Sequence, residues 1–104
     1  MLQRLYELKN LLTQLEAQGG YFINFLDTKG IQAGIMRLRA DENDIQEPHS
    51  VDEVYFIIEG SGFIKLGDND YEIRQGISIF VPAGVKHKFY GNKQDLIIFY
   101  ALGC

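Results

Sequence analysis

The sequence predicts an all-β domain, either a sandwich or a small barrel, preceded by one N-terminal α-helix. Leucines recur at helical spacing only within residues 2–18, and everything after Gly20 reads as short apolar strands separated by turns. A chain of 104 residues has room for one hydrophobic core. We therefore expect an N-terminal helix over residues 1–20 and a single β-barrel domain over residues 21–104.

The predicted helix is amphipathic, and five leucines form its apolar stripe. These are Leu2, Leu5, Leu8, Leu12 and Leu15. Gly19 and Gly20 end the helix, since glycine readily adopts the left-handed conformation that closes helices. Basic residues are too sparse on its polar side for a helix lying on a membrane surface. We expect the helix to pack on the domain's own sheet or on that of a partner.

Eight strands are predicted after the helix, bounded by Gly-, Asn-, Asp- or Pro-containing turns. They cover residues 21–26, 31–38, 55–58, 63–66, 71–74, 77–81, 86–90 and 95–102. Many short strands at close spacing, all placed after one helix, are typical of a sandwich or a small barrel.

Composition excludes several classes of partner. Fourteen acidic against ten basic residues give a net charge of −4, whereas nucleic-acid binding requires clustered Lys and Arg. No segment has the apolar length needed to span a bilayer, and the N-terminus lacks a signal-peptide pattern, so we expect no membrane association and a cytoplasmic location. The single cysteine, Cys104, excludes an intrachain disulfide.

Two separated segments carry the chemistry. In the first, 48–60, His49 and Glu53 are four residues apart on an extended stretch, so their side chains should share one face. The second, 76–87, ends in His87, the only other histidine, just after a Pro-Ala-Gly turn. Two imidazoles and a carboxylate that converge in a β-structure make a candidate divalent-metal site.

These segments resemble the motifs of the cupin superfamily, specifically the small single-domain cupins of the conserved-barrel (cupin 2) type, over residues 31–102. The first family motif runs His-x-His, three or four residues, Glu, six residues, Gly; the second runs Gly, five residues, Pro-x-Gly, two residues, His. The matching positions are His49, Glu53, Gly60, Gly76, Pro82, Gly84 and His87. The resemblance implies a jelly-roll barrel, that is, a double-stranded β-helix.

The sequence departs from the family pattern at two positions. Glu47 stands where the family has its first histidine, and the expected asparagine is displaced by one place, to Asn92. Because family members usually bind metal through three histidines and one glutamate, the resemblance implies a site built from the three matching side chains. Glu47 or Gln46 would add an oxygen donor. Iron, manganese, nickel or zinc could each be held by such a set.

A pocket beside this site is predicted to be mostly apolar, which suits a small organic molecule. Its expected lining residues lie on the ligand face of their strands or close to it. They are Tyr55, Ile57 and Phe89, with Met36 and Phe80 as further candidates. Tyr55 is also the candidate catalytic residue, as a hydrogen-bond donor or general acid.

Three functions remain open from sequence. The first is a metal-dependent enzyme, an oxygenase, isomerase or lyase, that acts on a small chelating substrate. The second is a non-catalytic module that binds a small molecule, such as a sensor, and the third is a metal-free dimeric scaffold. The fold alone does not choose among them, because one architecture hosts many activities.

A homodimer is predicted from apolar residues on the face of the sheet that should meet water. Residues 96–102 are apolar on both faces, and Val54, Phe56 and Ile58 are apolar on the face opposite Glu53. Such a surface must be covered by the N-terminal helix or by a second subunit, and two-fold self-association is the commonest solution.

Overall fold

The computed structural model describes residues 3–44 and 46–103. These residues form one α-helix followed by eight strands. The elements are α1 (Leu8–Gln18), β1 (Phe22–Asp27), β2 (Ile31–Leu38), β3 (Glu53–Glu59), β4 (Ser61–Leu66), β5 (Asn69–Arg74), β6 (Ser78–Val81), β7 (His87–Tyr90) and β8 (Leu96–Gly103). The predicted fold class, an all-β barrel with one N-terminal helix, is confirmed.

The strands form two antiparallel sheets. The larger has the order β1-β2-β8-β3-β6 and the smaller the order β5-β4-β7. Buried side chains of both sheets meet in one core, in which Tyr55 and Ile57 of β3 pack with Ile64 of β4 and Phe89 of β7. Alternation along β3 explains this arrangement, since Glu53, Tyr55 and Ile57 are buried while Val54 and Phe56 are exposed.

The helix begins at Leu8, later than its leucine stripe predicts. Glu7 has an extended backbone, with φ −88° and ψ 133°, and its side chain makes no capping hydrogen bond. Leu5 is 84 % exposed, so no apolar contact of its side chain stabilises a helical turn there. Tyr6 instead packs on Phe25 of β1, with 4.6 Å between ring centroids. Leu2 lies outside the described residues.

The helix packs on the outer face of the larger sheet. Leu11 is buried in a second core with Ile35 of β2 and Ile97 of β8. Burying a leucine side chain is worth about 1.5–3 kcal/mol, enough to hold a short helix that would be marginal alone. At its far end Glu16 pairs with Arg37 and with Arg39, the latter at 2.9 Å. The helix therefore covers the β1, β2 and β8 part of this face.

Asn92 ties the loop after β7 to the end of β2. Its side chain is buried and its Nδ2 donates to the carbonyls of Leu38 at 3.0 Å, Arg39 at 3.2 Å and Gln94 at 2.9 Å. The displaced asparagine of the sequence motif thus links backbone carbonyls of two separate segments, residues 38–39 and residue 94. Within the described ranges, no helix has the length and apolar character needed to cross a bilayer.

Candidate metal centre

Backbone hydrogen bonds bring the two motif segments together. Glu53 at the start of β3 pairs with Val81 at the end of β6. Beyond them, the Gly84 amide donates to the His49 carbonyl at 2.7 Å, and the Ala83 amide donates to Oδ1 of Asp52 at 2.9 Å. The Pro-Ala-Gly turn is therefore fastened to the loop that carries His49. Gly84 has φ +81°, a left-handed conformation that favours glycine and explains the motif's choice at this position.

His49, Glu53 and His87 converge as the sequence predicts. Their ligand atoms all lie within 4.8 Å of one another, with Oε1 of Glu53 3.5 Å from Nε2 of His49 and 3.4 Å from Nε2 of His87. The sequence predicts that His49 and Glu53 share one face of a strand, but this is not how they come together. His49 precedes β3, in a loop with bends at residues 50 and 51, and the loop rather than strand alternation brings its ring to Glu53.

The ring of His87 is oriented for ligation. Its Nδ1 lies 3.0 Å from the Val85 carbonyl, which can only accept, so Nδ1 carries the proton and donates. In the neutral ring the lone pair is then on Nε2, the atom that faces Glu53. A carbonyl partner of this kind is the usual way to fix the tautomer and orientation of a metal-ligating histidine.

Two atoms of this cluster are buried without a hydrogen-bond partner. They are Oε1 of Glu53 and Nε2 of His87, whose side chains are only 2 % and 1 % exposed. Burying an ionised carboxylate costs several kcal/mol unless an opposite charge compensates it. Two imidazole nitrogens and a carboxylate are suitable ligands for iron, manganese, nickel or zinc. The donor set therefore fits a divalent cation.

Tyr55 does not line a cavity, although it is the predicted catalytic residue. It is fully buried, and its hydroxyl donates to Oε1 of Gln46 at 3.0 Å. Burial raises its pKa well above the usual range, and the charge of Glu53 raises it further, so the phenol stays protonated and is a weak acid. Gln46 in turn donates to Oδ2 of Asp44 at 3.0 Å. Tyr55 and Gln46 thus hold the loop over the barrel, and the amide oxygen of Gln46 accepts a hydrogen bond from Tyr55.

A cavity of about 350 Å³ opens beside the cluster. His49 and Glu53 line it, and their neighbours come from β1, β2, β8 and the loop before β3. The other lining residues are Tyr21, Phe22, Asn24, Gln32, Met36, Gln46, Glu47, Pro48, Tyr100 and Leu102. Among the residues described, no Lys or Arg lines this cavity, so its walls are neutral or acidic.

The tyrosine of β8 reaches across β2 because Gly34 has no side chain. Gly34 is the register partner of both Tyr100 and Asn24, and the Tyr100 hydroxyl donates to Oδ1 of Asn24. A Cβ at residue 34 would collide with that hydroxyl and with the Ile23 carbonyl. The lack of a side chain at Gly34 therefore allows Tyr100 to form part of the cavity wall. Burial raises the pKa of Tyr100, as does the charge of Glu53, which keeps it a neutral donor.

The predicted pocket residues have different fates. Met36 lines the cavity, whereas Ile57 and Phe89 are fully buried and fill the core below it. Phe80 is 58 % exposed on the outer face of β6, because it is the register partner of the outward-facing Val54; its expected place in the pocket is wrong. Glu47 lines the cavity but does not belong to the cluster of His49, Glu53 and His87.

Sequence reasoning missed the contribution of the first strand and of Asp44. Asn24, Gln32 and Tyr100 lie far from both motifs in sequence and become neighbours only through strand register. Asp44 is buried in the polar stretch before the first motif, where its Oδ2 accepts from the Phe89 amide at 2.8 Å. A single acidic residue in a polar loop gives no signal of burial.

Comparison with known proteins identifies the class. Residues 34–101 match the family described as Cupin domain, which is more than half of the chain. The chain therefore belongs to the cupin family, as the two motifs indicate. The structure superposes on the crystal structure of a Thermus thermophilus protein with a TM-score of 0.79 at 17 % identity, covering 97 % of both chains. That identity supports the shared fold alone.

Among the relatives similar in sequence, two match over most of this chain. An uncharacterized protein of Streptomyces coelicolor is 35 % identical over 91 residues, covering 88 % of this chain and 87 % of its own length. The acireductone dioxygenase of Drosophila melanogaster is 30 % identical over 100 residues, covering 88 % of this chain. The match spans only 53 % of the dioxygenase, about half its length.

Without metal, the stability of the fold should fall as the pH rises. Burial lowers the pKa of His87, but the Glu53 carboxylate and the Val85 carbonyl raise it by more, so it lies above the ordinary value of 6.5. A raised folded-state pKa contributes stability that is complete below pH 6.5, the unfolded value, and is lost as the pH rises through the folded-state pKa. A tenfold difference in proton affinity between the folded and unfolded states is worth about 1.4 kcal/mol.

Urea denaturation of EDTA-treated protein from about pH 6 to about pH 9, across the histidine range, measures this loss. The matched control is His87→Gln, which keeps a polar side chain but cannot titrate. Its free energy of unfolding should vary less over the same range. An identical pH dependence in both proteins would show that His87 is not coupled to Glu53.

Proposed function

We propose that this cupin is a metal-dependent enzyme of the oxygenase type that acts on a small chelating substrate, with His49, Glu53 and His87 as its metal ligands. The observation that carries the proposal is a pair of buried atoms that could each bind a metal, Oε1 of Glu53 and Nε2 of His87. They face each other 3.4 Å apart, and neither has a hydrogen-bond partner. A divalent ion would satisfy both atoms at once. Three protein ligands leave coordination positions open for other molecules.

The cavity supports access of a small molecule to the ligands. The side chain of His49 is 36 % exposed, and the cavity of about 350 Å³ is in the size range of small-molecule sites. Met36, Phe22 and Leu102 supply apolar walls. Asn24, Gln32 and Tyr100 supply neutral hydrogen-bonding groups, which suit hydroxyl or carbonyl oxygens.

The chain's own residues would bind and orient the substrate. A divalent metal in this cluster supplies Lewis-acid activation of a bound oxygen atom. Tyr100, hydrogen-bonded to Asn24 and held neutral, would fix the orientation of a polar substrate group. Glu47 is an exposed carboxylate in the cavity wall, placed to accept a proton from the substrate.

Oxygenase chemistry is favoured over isomerase or lyase chemistry by one similarity. The 30 % identical relative from Drosophila melanogaster is named acireductone dioxygenase, and its match covers most of this chain. We therefore propose an enediol or similarly chelating compound as the substrate class. Such a compound would offer two adjacent oxygens to a metal held by His49, Glu53 and His87.

The alternative is a non-catalytic module that binds a small molecule at the same metal. One observation favours it: Tyr55, the predicted acid, is turned into the core and hydrogen-bonded to Gln46. Among the described carboxylates that line the cavity, only Glu47 is not a proposed ligand. A metal-free dimeric scaffold, the third function, is disfavoured by the buried carboxylate of Glu53, because burying an ionised carboxylate costs free energy unless a cation compensates it.

Metal retention tests the ligand set. Glu53→Gln and His87→Ala should each lose bound metal, by at least about tenfold in affinity, since even outer-shell changes commonly cost 10–100-fold. Glu59→Gln removes an exposed carboxylate from the same strand and should retain wild-type stoichiometry. Elemental analysis of protein purified without affinity tags or chelators measures the metal. Wild-type stoichiometry in His87→Ala would refute the proposed centre.

Oxygen uptake tests the reaction. Protein loaded with iron(II) and supplied with a synthetic acireductone should consume oxygen, whereas His87→Ala should not. Glu47→Gln should slow turnover by about 100-fold if its carboxylate takes the proton, the usual range for general-base catalysis. An oxygen electrode gives the rate. Ligand-dependent stabilisation of metal-loaded protein without oxygen uptake would favour the binding module instead.

We also propose that the chain forms a homodimer through the uncovered part of the larger sheet. Val54, Phe56 and Phe80 are 45 %, 40 % and 58 % exposed. Val54 is the register partner of Phe80 on β6 and of Ala101 on β8, so these side chains form a continuous apolar patch beside α1. Large exposed apolar patches of this kind mark association surfaces.

Sedimentation velocity tests the dimer. The wild-type chain should be dimeric at micromolar concentration, and Phe80→Glu combined with Val54→Glu should give a folded monomer, since each carboxylate would be buried in the interface. Phe63→Glu changes a 39 % exposed aromatic on the smaller sheet and should leave the dimer intact. A wild-type monomer would contradict the proposal.

A further inference from the structure

We propose that a second ligand site, for a small anion that carries a hydroxyl group, lies on the other side of residues 46–48 from the cavity beside the metal centre. A cavity of about 350 Å³ is present there. Lys65, Lys86, Lys88 and Asp44 line it, together with His87. Gln46, Glu47 and Pro48 line both cavities and so form the wall between them.

The lysines make this cavity locally positive, although the chain as a whole is negatively charged. The sequence has six lysines and a net charge of −4, and three of the six line this one cavity. Lys65 on β4 is the direct register partner of Lys88 on β7. Like charges placed opposite each other on paired strands destabilise a sheet, and an anion between them removes that repulsion.

The lysines are not neutralised by the protein itself. Nζ of Lys65 is 3.9 Å from Oδ2 of Asp70, an exposed and distant pair that contributes little. Within the described ranges, Lys86 and Lys88 have no carboxylate within ion-pair distance. All three ammonium groups can therefore turn toward a bound anion.

The second feature of the site is a hydrogen-bond acceptor without a donor, Oδ1 of Asp44. Asp44 is 4 % exposed, and its Oδ2 accepts from the Phe89 amide and from Nε2 of Gln46. Its Oδ1 is buried without a hydrogen-bond partner, a costly arrangement for an ionised oxygen. Asp44 has no part in the ligand cluster, so the metal proposal leaves this atom unexplained.

Together these groups define the ligand's chemistry. Lysines require a negative group, and Oδ1 of Asp44 requires a hydroxyl donor close to it. Glu47 in the shared wall adds negative charge, which favours a monoanion over a multiply charged ligand. A small hydroxycarboxylate meets all three conditions. This inference does not depend on the metal, because none of its contacts is to a metal ion.

Glycolate and acetate test the inference, since they differ by one hydroxyl group. Protein labelled with ¹⁵N and kept in EDTA, which prevents chelation at the metal centre, is titrated with each. We expect saturable shifts of the Phe89 amide signal, and about tenfold tighter binding of glycolate, the gain expected for a hydrogen bond to a charged acceptor. Sodium chloride at equal ionic strength should not reproduce the shifts.

Variants separate the two halves of the site. Lys65→Gln and Lys88→Gln should each weaken the binding of glycolate and of acetate severalfold. Lys29 does not line the cavity, so Lys29→Gln should leave both affinities unchanged. Asp44→Asn keeps an acceptor for the Phe89 amide but should abolish the preference for glycolate. Equal affinity of the wild-type protein for acetate and glycolate, or binding unchanged by both lysine substitutions, would overturn the inference and leave the metal proposal standing.

Discussion

A buried carboxylate oxygen without a hydrogen-bond donor, Oε1 of Glu53, is the constraint on which the site depends. Glu53 sits at the start of β3, 2 % exposed, with its Oε1 facing two imidazole nitrogens at 3.4 and 3.5 Å. An ionised carboxylate in that position needs a cation, either the proton of an imidazolium or a metal ion. The two cations compete for the same nitrogens, and neutral imidazole is the form that binds metal.

The scaffold holds this arrangement from three directions. The Pro-Ala-Gly turn is bonded to the loop of His49, the Val85 carbonyl orients the ring of His87, and the Tyr55–Gln46–Asp44 chain fixes the loop above them. That loop also divides the surroundings of the cluster into two cavities with different charges. One is neutral to acidic and reaches His49 and Glu53, and the other is lined by lysines and reaches His87.

The fold and the convergence of the three candidate ligands could be predicted from sequence because each leaves a local pattern. The leucine repeat indicates the helix, the turn residues separate the strands, and His49, Glu53 and His87 occupy motif positions. The cavity wall could not be predicted in this way. Asn24 and Tyr100 meet only through the registers of β1, β2 and β8, and Gly34 gives no hint that a tyrosine lies over it. The expected place of Phe80 in the pocket is wrong because an error of one residue in the alternation along a strand moves a side chain to the opposite face.

X-ray absorption spectroscopy of the protein loaded with one equivalent of zinc shows whether His49, Glu53 and His87 bind the metal. Nitrogen and oxygen ligands should lie at about 2.0–2.2 Å, together with the outer-shell scattering of two imidazole rings. Loss of one ring in His87→Ala would match the proposed ligand set. A wild-type spectrum without imidazole scattering would mean that neither histidine holds the metal.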